Sequence, residues 1–146
     1  MRIMGLDYGD KTVGVAISDE LGITAQPLET VYRERWNKLR QTCKRIEEII
    51  IEYKIEKIVI GKPLNMNGTE GERLQRTREF IDMMERRTGL EIVELDERLT
   101  TMEADRILDM TGVAESGRKE YIDKMAAAII LQTYLDREKN SLDLED

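Results

Sequence analysis

The chain has 146 residues, 40% hydrophobic and 36% charged, with a net charge of −7, one cysteine and no histidine. One folded domain with its own core is expected, rather than a disordered or disulfide-stapled chain. Without histidine the usual zinc sites, Ser-His and Cys-His nucleophile pairs and imidazole acid–base chemistry are excluded, leaving carboxylates, lysines, arginines or a bound metal. No apolar run approaches a membrane span, and the N-terminus lacks a signal-peptide pattern. Cys43 has no internal partner and falls on an apolar helical stripe, so a packed thiol in a reducing cytoplasm is expected. The negative charge argues against non-specific nucleic-acid binding, although it leaves room for a local basic groove.

Taken in order, residues 2–8 and 12–18 are two apolar runs separated by Gly9-Asp10-Lys11, which predicts a β-hairpin. Residues 23–32 form a third extended run, and Pro27 marks it as an edge or bulged strand. Trp36, Leu39, Cys43, Ile46, Ile50 and Tyr53 recur at helical spacing. A strand over 55–61 ends at Gly61 and Pro63, and a polar loop over 64–71 follows. A second helix is expected over 71–87, with Leu74, Phe80, Ile81 and Met84 inward and Gly89 as its stop. A strand over 90–97, a short helix from Thr100 or Thr101 to Met110, a link over 113–118 and a last helix over 119–138 complete the chain. A meander feeding into βαβ units gives an α/β fold with a mixed five-stranded sheet, three strands antiparallel and two parallel, flanked by helices. That is the arrangement of the ribonuclease H-like fold. One domain over residues 1–138 and a flexible acidic tail over 139–146 are expected.

Acids stand out at three places. Asp7 closes the first strand, Asp96 and Glu97 close the last, and Asp123 sits at the edge of the final helix's apolar face, beside Ala127 and Ile130. Each also has an ordinary reading. Asp7 suits a turn, Asp96 and Glu97 suit a solvated strand end beside Arg98, and Asp123 can pair with Lys119 one helical turn away. Together they can converge, and carboxylates that converge repel unless a cation sits among them. Hard oxygen ligands suit Mg²⁺ or Mn²⁺, and two such ions can activate water and stabilise the leaving oxygen of a phosphodiester. Basic residues gather at Arg33, Arg35, Lys38, Arg40, Lys44 and Arg45, and again at Arg73, Arg76 and Arg78, where a solvated helix face is the plainer reading.

The run Gly5-Leu6-Asp7-Tyr8-Gly9 is joined by Gly14-Val15-Ala16-Ile17-Ser18-Asp19, Ile60-Gly61-Lys62-Pro63 and Met66-Asn67-Gly68-Thr69-Glu70-Gly71. Asp96-Glu97-Arg98-Leu99-Thr100-Thr101 and Asp123 ahead of Ala126-Ala127 complete the series. In that order, over residues 2 to 136, the series resembles the YqgF family, whose members are described as pre-16S ribosomal RNA nucleases and Holliday-junction-resolvase-like proteins. The resemblance implies a ribonuclease H-like fold, a bacterial cytoplasmic location and a metal-dependent endonuclease that trims the 5′ end of precursor 16S rRNA. By motif it implies Asp7, Glu97 and Asp123 as catalytic acids and ligands of Mg²⁺ or Mn²⁺, with Asp96 as the substitute for Glu97. Asn67 stands where an Asp is common in the family. Lys62, Arg98 and Lys119 are the expected nucleic-acid contacts, able to stabilise charge added at phosphorus. Precursor rRNA is the favoured partner. A Holliday junction resolvase acting on branched DNA and a non-catalytic nucleic-acid-binding factor are the alternatives. The sequence leaves the oligomeric state open.

Overall fold

Two short strands with alternating side chains make the hairpin: β1 (Arg2–Tyr8) and β2 (Thr12–Ser18), antiparallel, with Asp7 opposite Gly14. The computed structural model describes residues 1–62, 71–96 and 115–145. β3 (Ala25–Tyr32) pairs antiparallel with β2 at the sheet edge. Its register slips where Val15 faces Glu29 and Ala16 faces Pro27, so the proline sits at a bulge, as a residue without a ladder N–H must. β4 (Ile55–Lys62) and β5 (Glu91–Asp96) run parallel to β1, giving the order β3-β2-β1-β4-β5. The expected mixed five-stranded sheet is therefore present.

Helices cover both faces. Met4, Leu6, Val13, Val15, Ile58 and Ile60 face α1 (Leu39–Tyr53) and α2 (Glu72–Thr88), where they bury Cys43, Ile46, Phe80 and Met84. Ile3, Ala16, Val59 and Leu95 face the last helix, α3 (Glu115–Glu145), and bury Ala127, Ile130 and Leu131. The packed thiol is as expected: Cys43 Sγ lies 3.5 Å from Met83 Sδ, and burial pushes its pKa up.

Helix boundaries differ from expectation at the start of α1 and at both ends of α3. α1 starts at Leu39, so Trp36 lies outside it and is 42% exposed. The chain turns first, with the Lys38 N–H donating to the Arg35 carbonyl at 3.0 Å, and Thr42 and Ile49 complete the buried stripe in place of Trp36. α1 ends at Tyr53, the last residue of the expected stripe, and Lys54 caps it in the left-handed region at φ 56°. α3 begins at Glu115, inside the link expected over 113–118, and continues to Glu145, beyond the expected end at 138, with no glycine or proline in residues 139–145 to stop it. Of the expected loop over 64–71 all but Gly71 lies outside the described residues, as does the short helix expected from Thr100 or Thr101 to Met110.

The approach of α3 to the sheet is unusually close, and two glycines permit it. A Cβ on Gly5 would come within 2.7 Å of both the Ala127 carbonyl oxygen and the Leu131 Cβ. On Gly14 it would fall 1.9 Å from the Asp123 carbonyl oxygen. Asp123, Ala127 and Leu131 are spaced by four, so one ridge of the helix rests on β1 and β2. The small residues Ala126 and Ala127 let the helix in.

Both sides of the Gly14 contact are backbone, so only displacement of α3 could admit a methyl group. Gly14→Ala is expected to cost about 3 kcal/mol or more in urea denaturation. Lys54→Gly, which relieves a left-handed non-glycine residue, should instead raise stability by about 1 kcal/mol. A Gly14→Ala protein as stable as the parent would contradict the packing described.

Candidate active site

Strand alternation places Asp7 on the α3 side of the sheet, in line with Ile3 and Gly5. Its neighbours Leu6 and Tyr8 are buried against the other side, while Asp7 itself is half-buried. Its register partner is Gly14, the residue on which the Asp123 backbone rests. One sheet position thus brings together the acid of the first strand and the acid of the last helix. Each carboxylate has one oxygen closed off from solvent, Asp7 Oδ1 and Asp123 Oδ2. Both residues line a cavity of about 400 Å³ with Gly9, Asp10, Lys11, Thr12 and Arg73.

Half-buried acids that face one cavity repel each other, and a cation between them removes the penalty. Their oxygens are the hard donors that Mg²⁺ and Mn²⁺ prefer, and exposed Lys11 and Arg73 at the rim can meet an anionic substrate. The residues present therefore fit a divalent ion. Among the described residues no three acids are placed to hold one metal ion together. Glu97 and Arg98 lie outside the described residues. So does the Lys119 side chain, although α3 passes through that position four residues before Asp123.

Asp96 ends β5 opposite Lys62, the last residue of β4. Both alternate with Leu95 and Gly61, which puts them on the side of Ile58, Ile60 and Ile92 rather than that of Asp7. The structure does not bring either to the Asp7–Asp123 cavity. Conversely, Arg73, read in the sequence as part of a solvated helix face, and Lys11, read only as a turn residue, both join it. Lys11 lies close to Asp7 in the turn, but Arg73 arrives only through the packing of α2, which no local pattern encodes.

The turn between β1 and β2 is fastened from beneath by Arg33, expected on a solvated face but only 8% exposed. Its backbone N–H donates to the Lys11 carbonyl at 2.8 Å, Nη2 donates to the Gly9 carbonyl and Nε to the Trp36 carbonyl at 3.4 Å. The guanidinium lies 4.6 Å from the centre of the Tyr8 ring, which stacks on Phe80 at 4.4 Å. Burial lowers the Arg33 pKa, and burial raises that of the Tyr8 hydroxyl. Above the turn, Arg76 binds Asp10 at 3.1 Å and ties α2 to the same hairpin.

The fold is shared with known nucleases of low sequence similarity. RuvC of T. thermophilus, solved in complex with a Holliday junction substrate, superposes with a TM-score of 0.57 at 15% identity, over 94% of this chain and 96% of that one. The fowlpox virus Holliday junction resolvase superposes at 0.55 with 13% identity, over 94% and 99%. Together with the sheet order, these likenesses define a ribonuclease H-like fold. In sequence, the chain is 61% identical over 141 residues to a protein of Agathobacter rectalis named "Putative pre-16S rRNA nuclease", covering 97% of this chain and 99% of that relative. A Listeria monocytogenes protein of the same name is 51% identical over 136 residues, covering 93% and 98%. Residues 1–137 match the family model described as RuvX: Holliday junction resolvase, and the chain belongs to that family.

Arg33→Ala removes donors to two backbone carbonyls and the cation over Tyr8. It is expected to cost about 3 kcal/mol and to speed amide exchange across residues 9–12. Arg33→Lys should recover little of this, because an ammonium cannot span the same carbonyls.

Proposed function

We propose that this chain is a divalent-metal-dependent endonuclease that processes the 5′ end of precursor 16S rRNA during ribosome maturation in the bacterial cytoplasm. The observation that carries the reading is the meeting of Asp7 and Asp123 over Gly14 in one cavity beside Lys11 and Arg73. The names of the close relatives supply the substrate, and family membership supplies the reaction class. Asp7, Glu97 and Asp123 would hold Mg²⁺ or Mn²⁺. When bound, such an ion activates water and offsets charge on the leaving oxygen.

The chain's own residues do the rest. Asp7 and Asp123 concentrate negative charge in the cavity, and Lys11 and Arg73 stand around it beside Asp10, which is paired with Arg76. Lys11 and Arg73 draw the phosphodiester into that cavity, and Lys62, Arg98 and Lys119 remain the further candidate phosphate contacts. The hairpin turn, held by Arg33 and Arg76, keeps Asp7 from shifting as the substrate enters. The nuclease domain is assigned to residues 1–138, with 139–146 as an acidic extension. A second reading, resolution of branched DNA, is favoured by the family's description and by the resolvase fold, and it requires a symmetric dimer to cut two strands.

Asp7→Asn and Asp123→Asn should each lower cleavage of a labelled precursor rRNA at least about a hundredfold, or roughly 2.7 kcal/mol of barrier. Mn²⁺ should raise the melting temperature of the parent, because it binds only the folded state, and leave both variants unmoved. Equal cleavage by the variants sinks the mechanism. Faster cutting of a four-way DNA junction than of precursor rRNA selects the second reading, and metal-independent binding without cleavage selects a non-catalytic factor.

A further inference from the structure

The loop between β3 and α1 presents aromatic surface in an unusual setting. Trp36 is 42% exposed and Tyr32 is 58% exposed. The Arg76 guanidinium lies 4.2 Å from the centre of the Trp36 ring, and the same side chain binds Asp10 at the rim of the Asp7–Asp123 cavity. Trp36 is therefore one residue removed from the cavity wall. Arg33 anchors the loop from below through the Trp36 carbonyl, so the indole is offered from a fastened backbone. Beside it, a groove of about 590 Å³ is lined by Tyr32, Glu34, Asn37, Lys38, Arg40 and Gln41.

Charge is uneven here. Residues 33–45 hold six cations and a single acid, Glu34, in a chain whose net charge is −7. Two of the six are engaged inside the protein, Arg33 under the turn and Arg45 with Glu29 at 2.6 Å. Arg35, Lys38 and Arg40 are exposed and form no ion pair among the described residues. Exposed rings set among unpaired cations, next to a phosphodiester-cleaving centre, match single-stranded nucleic acid: bases stack on the rings and phosphates meet the cations. A base pair in a duplex has no free face to offer them.

We propose that Trp36, backed by Arg76 and extended by Tyr32, is a stacking platform for single-stranded RNA flanking the scissile bond, with Arg35, Lys38 and Arg40 neutralising its phosphates. This rests on the nuclease reading above and assigns its substrate's unpaired strand a place on the protein. The platform also gives a local answer to how an acidic chain holds a polyanion, since the attraction acts within about 8 Å at physiological salt.

Trp36 is the only tryptophan, so its emission reports stacking directly. A single-stranded RNA of about twelve nucleotides, titrated with chelator present, should quench that emission saturably in the parent. Anisotropy of the same RNA, labelled, should show binding weakened about tenfold by Trp36→Ala and largely restored by Trp36→Phe. Lys38→Glu with Arg40→Glu should flatten the salt dependence by roughly 0.7 in slope for each phosphate that the protein no longer neutralises. Circular dichroism of each variant confirms that it is folded. The proposal is overturned by absent quenching at saturating RNA, by parental affinity in folded Trp36→Ala, or by duplex DNA quenching as strongly as RNA. Quenching without any cleavage upholds the platform and removes the nuclease reading. Cleavage with an unchanged KM in Trp36→Ala removes the platform and keeps the nuclease.

Discussion

The contact between the Asp123 carbonyl and Gly14 is the constraint on which the site depends. Helices usually pack on sheets through side chains about 10 Å deep, and such layers can slide as rotamers change. Here the helix backbone rests on the strand backbone, and a Cβ on the strand would overlap it at 1.9 Å. No rotamer change can absorb a shift at that point. Gly14 is also the register partner of Asp7, so the ladder that positions β1 against β2 sets the relation of the two acids. Glycine inside a strand costs about 0.5–1 kcal/mol each. Burial of Ala127, Ile130 and Leu131 against Ile3, Ala16 and Val59 offsets that cost and holds the helix in place.

A second feature is the treatment of the hairpin turn. Turns are normally among the more mobile parts of a sheet. This one carries the cavity rim, and it is bonded from two directions. Arg33, buried on the α1 and α2 side, donates to the Gly9 carbonyl, while Arg76 from α2 pairs with Asp10. A buried guanidinium is costly to desolvate, and the depressed Arg33 pKa records that cost. Its hydrogen bonds and the Tyr8 ring compensate for it. A rigid turn spares the substrate the entropy of ordering it.

Much of this architecture was legible in the sequence because it follows from local chemistry. The hairpin came from two apolar runs around Gly9-Asp10-Lys11, and the bulged edge strand came from Pro27, which cannot donate to a ladder. The stop of α2 at Gly89 followed from its left-handed φ of 70°. Asp7 and Asp123 were recognisable as candidates because each interrupts an apolar pattern. What could not be read was long-range. Trp36 continues the helical spacing of α1, but no capping residue precedes it, and spacing alone does not say where the first turn begins. Arg33 looked like one more surface cation in a basic run. Its burial depends on Gly9, Lys11 and Tyr8, residues more than twenty positions away. Gly5 and Gly14 passed as ordinary strand glycines until the helix they receive was in view.

The two sides of the sheet also bear on which acid completes the proposed set. Asp96 and Glu97 are neighbours, and the motif alone could not separate them. β5 alternates through Val93 and Leu95 on the α3 side, and through Ile92, Glu94 and Asp96 on the other. Asp7 and Asp123 both belong to the α3 side. For Asp96 to join them its carboxylate would have to cross the plane of the sheet, past its register partner Lys62. That parity sets Asp96 on the side of the sheet away from Asp7 and Asp123.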